Sequence, residues 1–185
     1  TSVKKFGTAS AEFDGTGDYM YIPYNYPFST GDFTIECWVY FKTTTTNQGI
    51  FQLDQSPLSG VTYIAPVLFT GGGAYAGRWA TMTKYGGNQS LYANSSYNPS
   101  TETWYHTAVV RNSGTVKVYI DGVEVISVSD QTDYTDRDSL VIGSFFSSSY
   151  DMDGYIDEFR ITHKARYTSN FTPPTKEFFD IDINE

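Results

Sequence analysis

Residues 155–162, YIDEFRIT, place two adjacent carboxylates, Asp157 and Glu158, in a run that otherwise alternates like a β-strand, with Arg160 just beyond. Acids in a strand are costly to bury unless paired, hydrogen-bonded or bound to a metal. Catalysis, metal binding and scaffold hydrogen bonding are therefore the chemistries open to them. A glycosidic acid pair needs two carboxyl groups about 5–5.5 Å apart for retention or about 6.5–9.5 Å for inversion, both facing the sugar. Neighbouring strand residues point to opposite faces, so Asp157 and Glu158 cannot form that pair together. His106 alternates with Trp104 and Ala108 in TWYHTAVV, as a hydrogen-bonded scaffold residue does, and His163 lies in a C-terminal turn. Cys37 alternates with core residues and reads as an inert buried thiol. A working active site needs a converging set of groups, and the sequence offers none. The expectation is a protein that is not an enzyme.

Calcium takes six to eight oxygens from carboxylates, carbonyls and water. Two loops offer them. FDGTGDY carries Asp14 and Asp18 around two glycines, and YDMDG carries Asp151 and Asp153 just before the last strand. The candidate ligands are Asp14, Asp18, Asp153 and Asp157, for a structural Ca²⁺. The alternative is that Asp14 and Asp18 cap turns through nearby backbone amides while the other loop acids are solvated. Transition-metal sites are not expected, since clustered His and Cys are missing.

Sugars are gripped by aromatic faces and by planar polar side chains that hold hydroxyls. Trp38 and Tyr40 lie on a strand face beside Glu36. The glycine-rich segment GGGAYAGRWATM carries Tyr75, Arg78 and Trp79, and FFSSSYDMDG carries Tyr150 and Asp151. Trp79, Arg78, Tyr75, Tyr150 and Asp151 are the candidate ligand-binding set, with Trp79 foremost because recognition residues concentrate in loops. The competing expectation is that such aromatics only pin their own loops.

These residues need a scaffold, and the alternation supplies one. FTIECWVYF (33–41) puts Phe33, Ile35, Cys37, Val39 and Phe41 on one face. HTAVVR and TVKVYID, joined by NSG, read as a β-hairpin, and DG at 121–122 turns the chain into VEVISVS. Residues 70–100 read as short strands joined by long loops, and HKARYT (163–168) as the one helical turn. About a dozen short strands with polar turns argue for an all-β, two-sheet antiparallel sandwich. Residues 1–178 form one domain and the acidic 179–185 a tail or linker. A net charge of −9 argues against nucleic-acid or anionic-membrane partners. No apolar run approaches the ~20 residues of a membrane span.

ASAEFDGTGDYMYIP, FSTGDFTIECWVYFK, TWYHTAVVRNSGTVKVYIDGVEV and LVIGSFFSSSYDMDGYIDEFRIT occur in that order. Together they resemble the laminin-G-like branch of the concanavalin A-like lectin/glucanase superfamily. ARYTSNFTPP is similar to the ending of such domains in bacteriophage tail and fibre proteins. The resemblance implies a jelly roll whose first and last strands are neighbours, and calcium at loops of this kind in many relatives. The related glucanases carry a Glu-x-Asp-x-x-Glu strand, and Tyr155 departs from it. Such folds host many functions, so the site decides. The expectation is a non-catalytic carbohydrate-binding module on a virion or an extracellular cell surface. The alternative is an architectural module that contacts other virion or surface subunits and has no glycan of its own.

Overall fold

Alternation along FTIECWVYF is the organising signal of the fold, because its apolar face must be covered by a second sheet. A computed structural model describes residues 2–23, 28–54, 63–69, 78–85, 88–93, 97–135, 139–145 and 150–178. The acidic tail and Tyr75 lie outside the described residues. Within them run β1 (Ala11–Asp14), β2 (Met20–Pro23), β3 (Phe33–Phe41), β4 (Gln48–Gly49), β5 (Phe51–Asp54), β6 (Tyr63–Phe69) and β7 (Arg78–Tyr85). They continue with β8 (Asn88–Ala93), β9 (Trp104–Asn112), β10 (Thr115–Ile120), β11 (Val123–Ser129), β12 (Ser139–Ile142) and β13 (Asp153–Thr162).

The strands form two antiparallel sheets. One has the order β1-β13-β3-β9-β10-β11, the other β2-β12-β5-β6-β7-β8 with β4 paired to β6. First and last strands are neighbours, Ala11–Asp14 pairing with residues 153–156. The all-β sandwich expected from the alternation is the fold observed. Phe33, Ile35, Cys37, Val39 and Phe41 are each 0% exposed and face Phe51, Leu53, Leu140 and Ile142 of the other sheet. The thiol of Cys37 is pushed up by burial and by the neighbouring Glu36 charge, so it stays protonated. Both expected hairpins are present. The turns Ser113-Gly114 and Asp121-Gly122 put two successive residues at positive φ, as the primed turns of a twisted hairpin require.

Two expectations are corrected. Residues 163–168 form no helix; the chain from 163 to 178 runs as an extended strap across the outer face of the six-stranded sheet. Ala165, Tyr167 and Phe171 pack there on Ala108, Val110 and Tyr119. The strap is pinned by Phe171 N–H donating to the Gly122 carbonyl at 2.9 Å. Gly122 is at φ +78, and a Cβ there would fall 1.9 Å from the Phe171 carbonyl oxygen, so only glycine lets the strap close. The second correction concerns Trp79, which lies in β7 rather than in a loop.

Candidate functional site

The outer face of the six-stranded sheet carries most of the chemistry. Its alternating positions are Glu12 on β1, Tyr155 and Asp157 on β13, Thr34, Glu36, Trp38 and Tyr40 on β3, and Trp104, His106 and Ala108 on β9. Register divides this face into two halves.

In the first half the charges are enclosed. Glu36 is 0% exposed. Its Oε1 accepts from Arg160 Nε at 2.9 Å and Nη2 at 2.7 Å. Its Oε2 bonds His106 Nε2 at 3.1 Å and accepts from Tyr167 Oη at 2.9 Å. Burial pushes the Glu36 carboxyl up, but the His106 hydrogen bond and the Arg160 charge outweigh it and hold it below the usual value. The same carboxylate helps push the Tyr167 phenol up, burial being the larger cause. His106 is thus the hydrogen-bonded scaffold residue expected.

The acids of YIDEFRIT are scaffold as well. The strand is bulged between Asp157 and Arg160, and Glu158 sits at φ 53. Asp157 Oδ2 accepts the amides of Lys5 at 2.8 Å and Phe6 at 3.2 Å, while Oδ1 accepts that of Glu158 at 2.9 Å. Glu158 accepts the amide of Phe178. The bulge therefore clasps an N-terminal segment with one acid and the strap with the next. Above it, Lys5 Nζ lies 3.9 Å from the Trp38 ring centroid, and Arg160 stacks 3.8 Å from that of Phe178. Arg160 pairs across the strands with Glu36, whereas the bulge takes Glu158 out of register with β3.

The second half is a row of aromatics. Glu12, Tyr155, Tyr40 and Trp104 are successive register partners on β1, β13, β3 and β9. Tyr155, Tyr40 and Trp104 are half-buried, and Glu12 is exposed. Ring centroids stand 5.5 Å apart for Tyr155 and Tyr40, and 5.4 Å apart for Tyr40 and Trp104. At one end, Glu12 Oε1 accepts from Tyr155 Oη at 3.0 Å and from Lys42 Nζ at 2.8 Å. These two bonds hold the Glu12 carboxyl below its usual value. Lys42 also lies 4.8 Å from the Tyr155 ring centroid and 3.8 Å from Asp153 Oδ1. The row presents aromatic rings followed by a fixed carboxylate, ammonium and phenol.

The residues singled out from sequence lie elsewhere. Trp79 is 1% exposed, packed edge-on against Phe41 and Tyr105, so it fills the core and offers no stacking face. Arg78 begins the same strand, half-buried. Tyr150 stacks on Phe145 at 5.7 Å, which is 0% exposed. Asp151 accepts from Ser144 Oγ at 2.7 Å and from Gly17 N–H at 2.8 Å. Tyr150 and Asp151 thus pin their loop. Among the described members of the candidate set, Trp79 is buried in the core while Tyr150 and Asp151 hold the loop before β13, so these three do not share one face.

The loop acids likewise serve the backbone. Asp14 Oδ1 accepts the Thr16 amide at 2.9 Å, and Asp18 Oδ2 that of Asp14 at 3.2 Å. Asp153 is the register partner of Asp14 and lies beside Lys42. Among the described residues, no group of three or more His, Cys, Asp or Glu is placed to share a metal ion. Of the four candidate ligands, register brings Asp14 and Asp153 together, while Asp157 faces the amides of Lys5 and Phe6.

The row joins separate segments of the chain, and only strand register aligns them. Tyr40 is legible in sequence on the outer strand face beside Glu36, whereas nothing local to Trp104 or Tyr155 marks them as its neighbours.

Residues 14–169 match the Concanavalin A-like lectin/glucanases superfamily, and the chain belongs to it. No curated protein matches in sequence. Among solved structures, the chain is similar to domain 4 of AbnA, an extracellular arabinanase of Geobacillus stearothermophilus, in complex with arabinotriose. That likeness has a TM-score of 0.67 and 24% identity over 84% of this chain and 71% of that one. It is also similar to a heptameric SAP-like pentraxin of Limulus polyphemus, with TM-score 0.64 and 13% identity over 85% and 76% of the two chains. Mouse laminin α1 domains LG4-5 align with TM-score 0.63 and 15% identity, over 89% of this chain and 47% of theirs.

Proposed function

We propose that the chain is a non-catalytic carbohydrate-binding module, displayed on a virion or an extracellular surface, that grips glycans on the row Tyr155, Tyr40 and Trp104. The observation that carries this reading is the row itself, three half-buried rings in register with the Glu12–Lys42 pair at one end. Rings of this kind supply apolar faces to sugar C–H groups, and the carboxylate and ammonium supply oriented partners for hydroxyls. The arabinotriose bound by the AbnA domain supports it as an analogy of fold. The absence of turnover is supported by Asp157 and Glu158, whose oxygens are taken by backbone amides. The virion setting is supported by the resemblance of ARYTSNFTPP to phage proteins. A glycan array with the purified domain tests the proposal. Selective binding that Trp104→Ala abolishes, with the cooperative thermal melt retained, is the expected result. A blank array from folded protein would overturn it.

A second reading, subunit contact, is favoured by β2. Tyr19, Met20, Tyr21 and Ile22 are 40–52% exposed, on or beside an edge strand of the seven-stranded sheet. Edge strands with exposed apolar residues recruit other chains. Oligomers lost on Tyr21→Lys, with a blank array, would favour it over sugar binding.

A further inference from the structure

We infer that the aromatic row takes the interior of a single, neutral, twisted polysaccharide chain laid across the strands, and neither an acidic glycan, a chain end nor a crystalline polysaccharide surface. This rests on the carbohydrate-binding reading above and narrows its ligand. Three observations carry it, one for each exclusion.

The first is charge. At the polar end of the row one ammonium, Lys42, serves two carboxylates, Glu12 at 2.8 Å and Asp153 at 3.8 Å. One positive and two negative charges leave that end net negative, on a chain whose own charge is −9. A polymer of uronates or sulfated sugars would approach against both the local and the overall field. Lys42 is already engaged by carboxylates, so it is a poor anchor for a ligand acid. A neutral chain loses nothing to this field, and its hydroxyls donate to Glu12 and accept from Lys42.

The second is openness. The row runs perpendicular to the strands, one ring per strand, and leaves the sheet at β1, an edge strand. At the other end the β9–β10 ladder stops at Thr107 and Ile120, so among the described residues no strand residue stands in register beyond Trp104. A ligand can therefore continue past both ends of the row, and recognition needs no terminal sugar.

The third is tilt. The planes of Tyr155 and Tyr40 are 72° apart, and those of Tyr40 and Trp104 56° apart. A flat ribbon whose sugars share one plane stacks on only one ring of each neighbouring pair. A chain that rotates its sugars from one unit to the next can meet successive rings in turn. Packed crystalline chains cannot make that rotation.

The test uses the whole domain in three binding assays. Calorimetry compares neutral soluble arabinan and β-1,3-glucan with polygalacturonate and alginate at low and high salt. Sedimentation measures retention on microcrystalline cellulose and crystalline chitin. A ladder of the preferred oligosaccharide, from dimer to hexamer, is titrated with its reducing end free and reduced. Expected are binding to at least one neutral soluble chain, affinity rising at least tenfold along the ladder, and no effect of reducing the end. Trp104→Ala and Tyr155→Ala should each weaken that binding about tenfold or more, while Trp104→Phe retains most of it and confirms that the fold stands. A preference for an acidic polymer, retention on the crystalline solids, or loss of binding when the end is reduced would overturn this inference and leave the module a carbohydrate binder. Binding to none of the glycans by folded protein would overturn the broader reading and this one with it.

Discussion

The two halves of the outer sheet face are built on the same strands and have opposite fates. Around Glu36, Trp38 and His106 the face is sealed by the strap and by Lys5 and Phe6, and each Glu36 oxygen is bonded. Around Tyr155, Tyr40 and Trp104 no such cover packs among the described residues, and the rings stay half-buried. The difference lies in what each half presents. A buried carboxylate demands partners, and the strap brings one of them, Tyr167. A row of amphipathic rings tolerates water on one side and leaves room for a ligand. Stability and recognition are thereby separated within a single sheet.

The largest effect should come from the sealed half. Glu36→Gln strands Arg160 in a nearly closed site and should cost about 3–5 kcal/mol of stability in a denaturant melt. Sugar affinity per folded molecule should stay near the parent value, and a parallel loss of affinity would break the separation. The same carboxylate sets the acid limit. Its folded value is depressed, so its contribution is complete above the unfolded value, about 4.3, and is lost as pH falls through the folded value. Stability measured downward from pH 5 should therefore drop, and the Glu36→Gln variant should show a shallower drop.

Next comes the strap. Gly122→Ala sets a Cβ against the Phe171 carbonyl at positive φ, which should cost about 2 kcal/mol and expose residues 163–178 to limited proteolysis. An unchanged digestion pattern would mean the strap does not depend on this contact. In the open half the order reverses. Tyr40→Ala should lower stability by only about 1 kcal/mol, yet weaken sugar binding tenfold or more. The smallest effect is expected from calcium. With Asp14, Asp151 and Asp157 accepting backbone amides, thermal melts in calcium and in EDTA should coincide. A clear calcium-dependent rise would show that the loop acids rearrange around the ion.

Much of the sandwich was legible because its signals are local. The alternation of residues 33–41 and the glycine turns at 113–114 and 121–122 state strand faces and hairpins within a few residues. The functional surface is different in kind. Trp79 looked like a loop aromatic because glycines precede it, and tertiary packing drew it into the core. Tyr155, Tyr40 and Trp104 are far apart in sequence, and their alignment exists only once three strands have found their register. The strap was misread as a helical turn since its partners, Gly122, Glu36 and Tyr119, are long-range. Asp157 reads from sequence as a scaffold acceptor or a calcium ligand, and the amides it accepts in the structure, those of Lys5 and Phe6, are distant in the chain.

The bulge at Asp157 and Glu158 also governs how the molecule bears load. The acids hold the chain at Lys5–Phe6 and at Phe178, and Gly7 lies so near Glu177 that a Cβ would fall 2.8 Å from its carboxylate. Tension applied between residues 5 and 178 therefore crosses a few ångströms of one strand before it reaches the core. Under pulling, the two segments should peel from the bulge as a short, low-force event, and the sandwich should resist until β1 and the strap have been stripped away. A module stretched between neighbours would yield first at this corner and lengthen slightly, with its aromatic row still assembled.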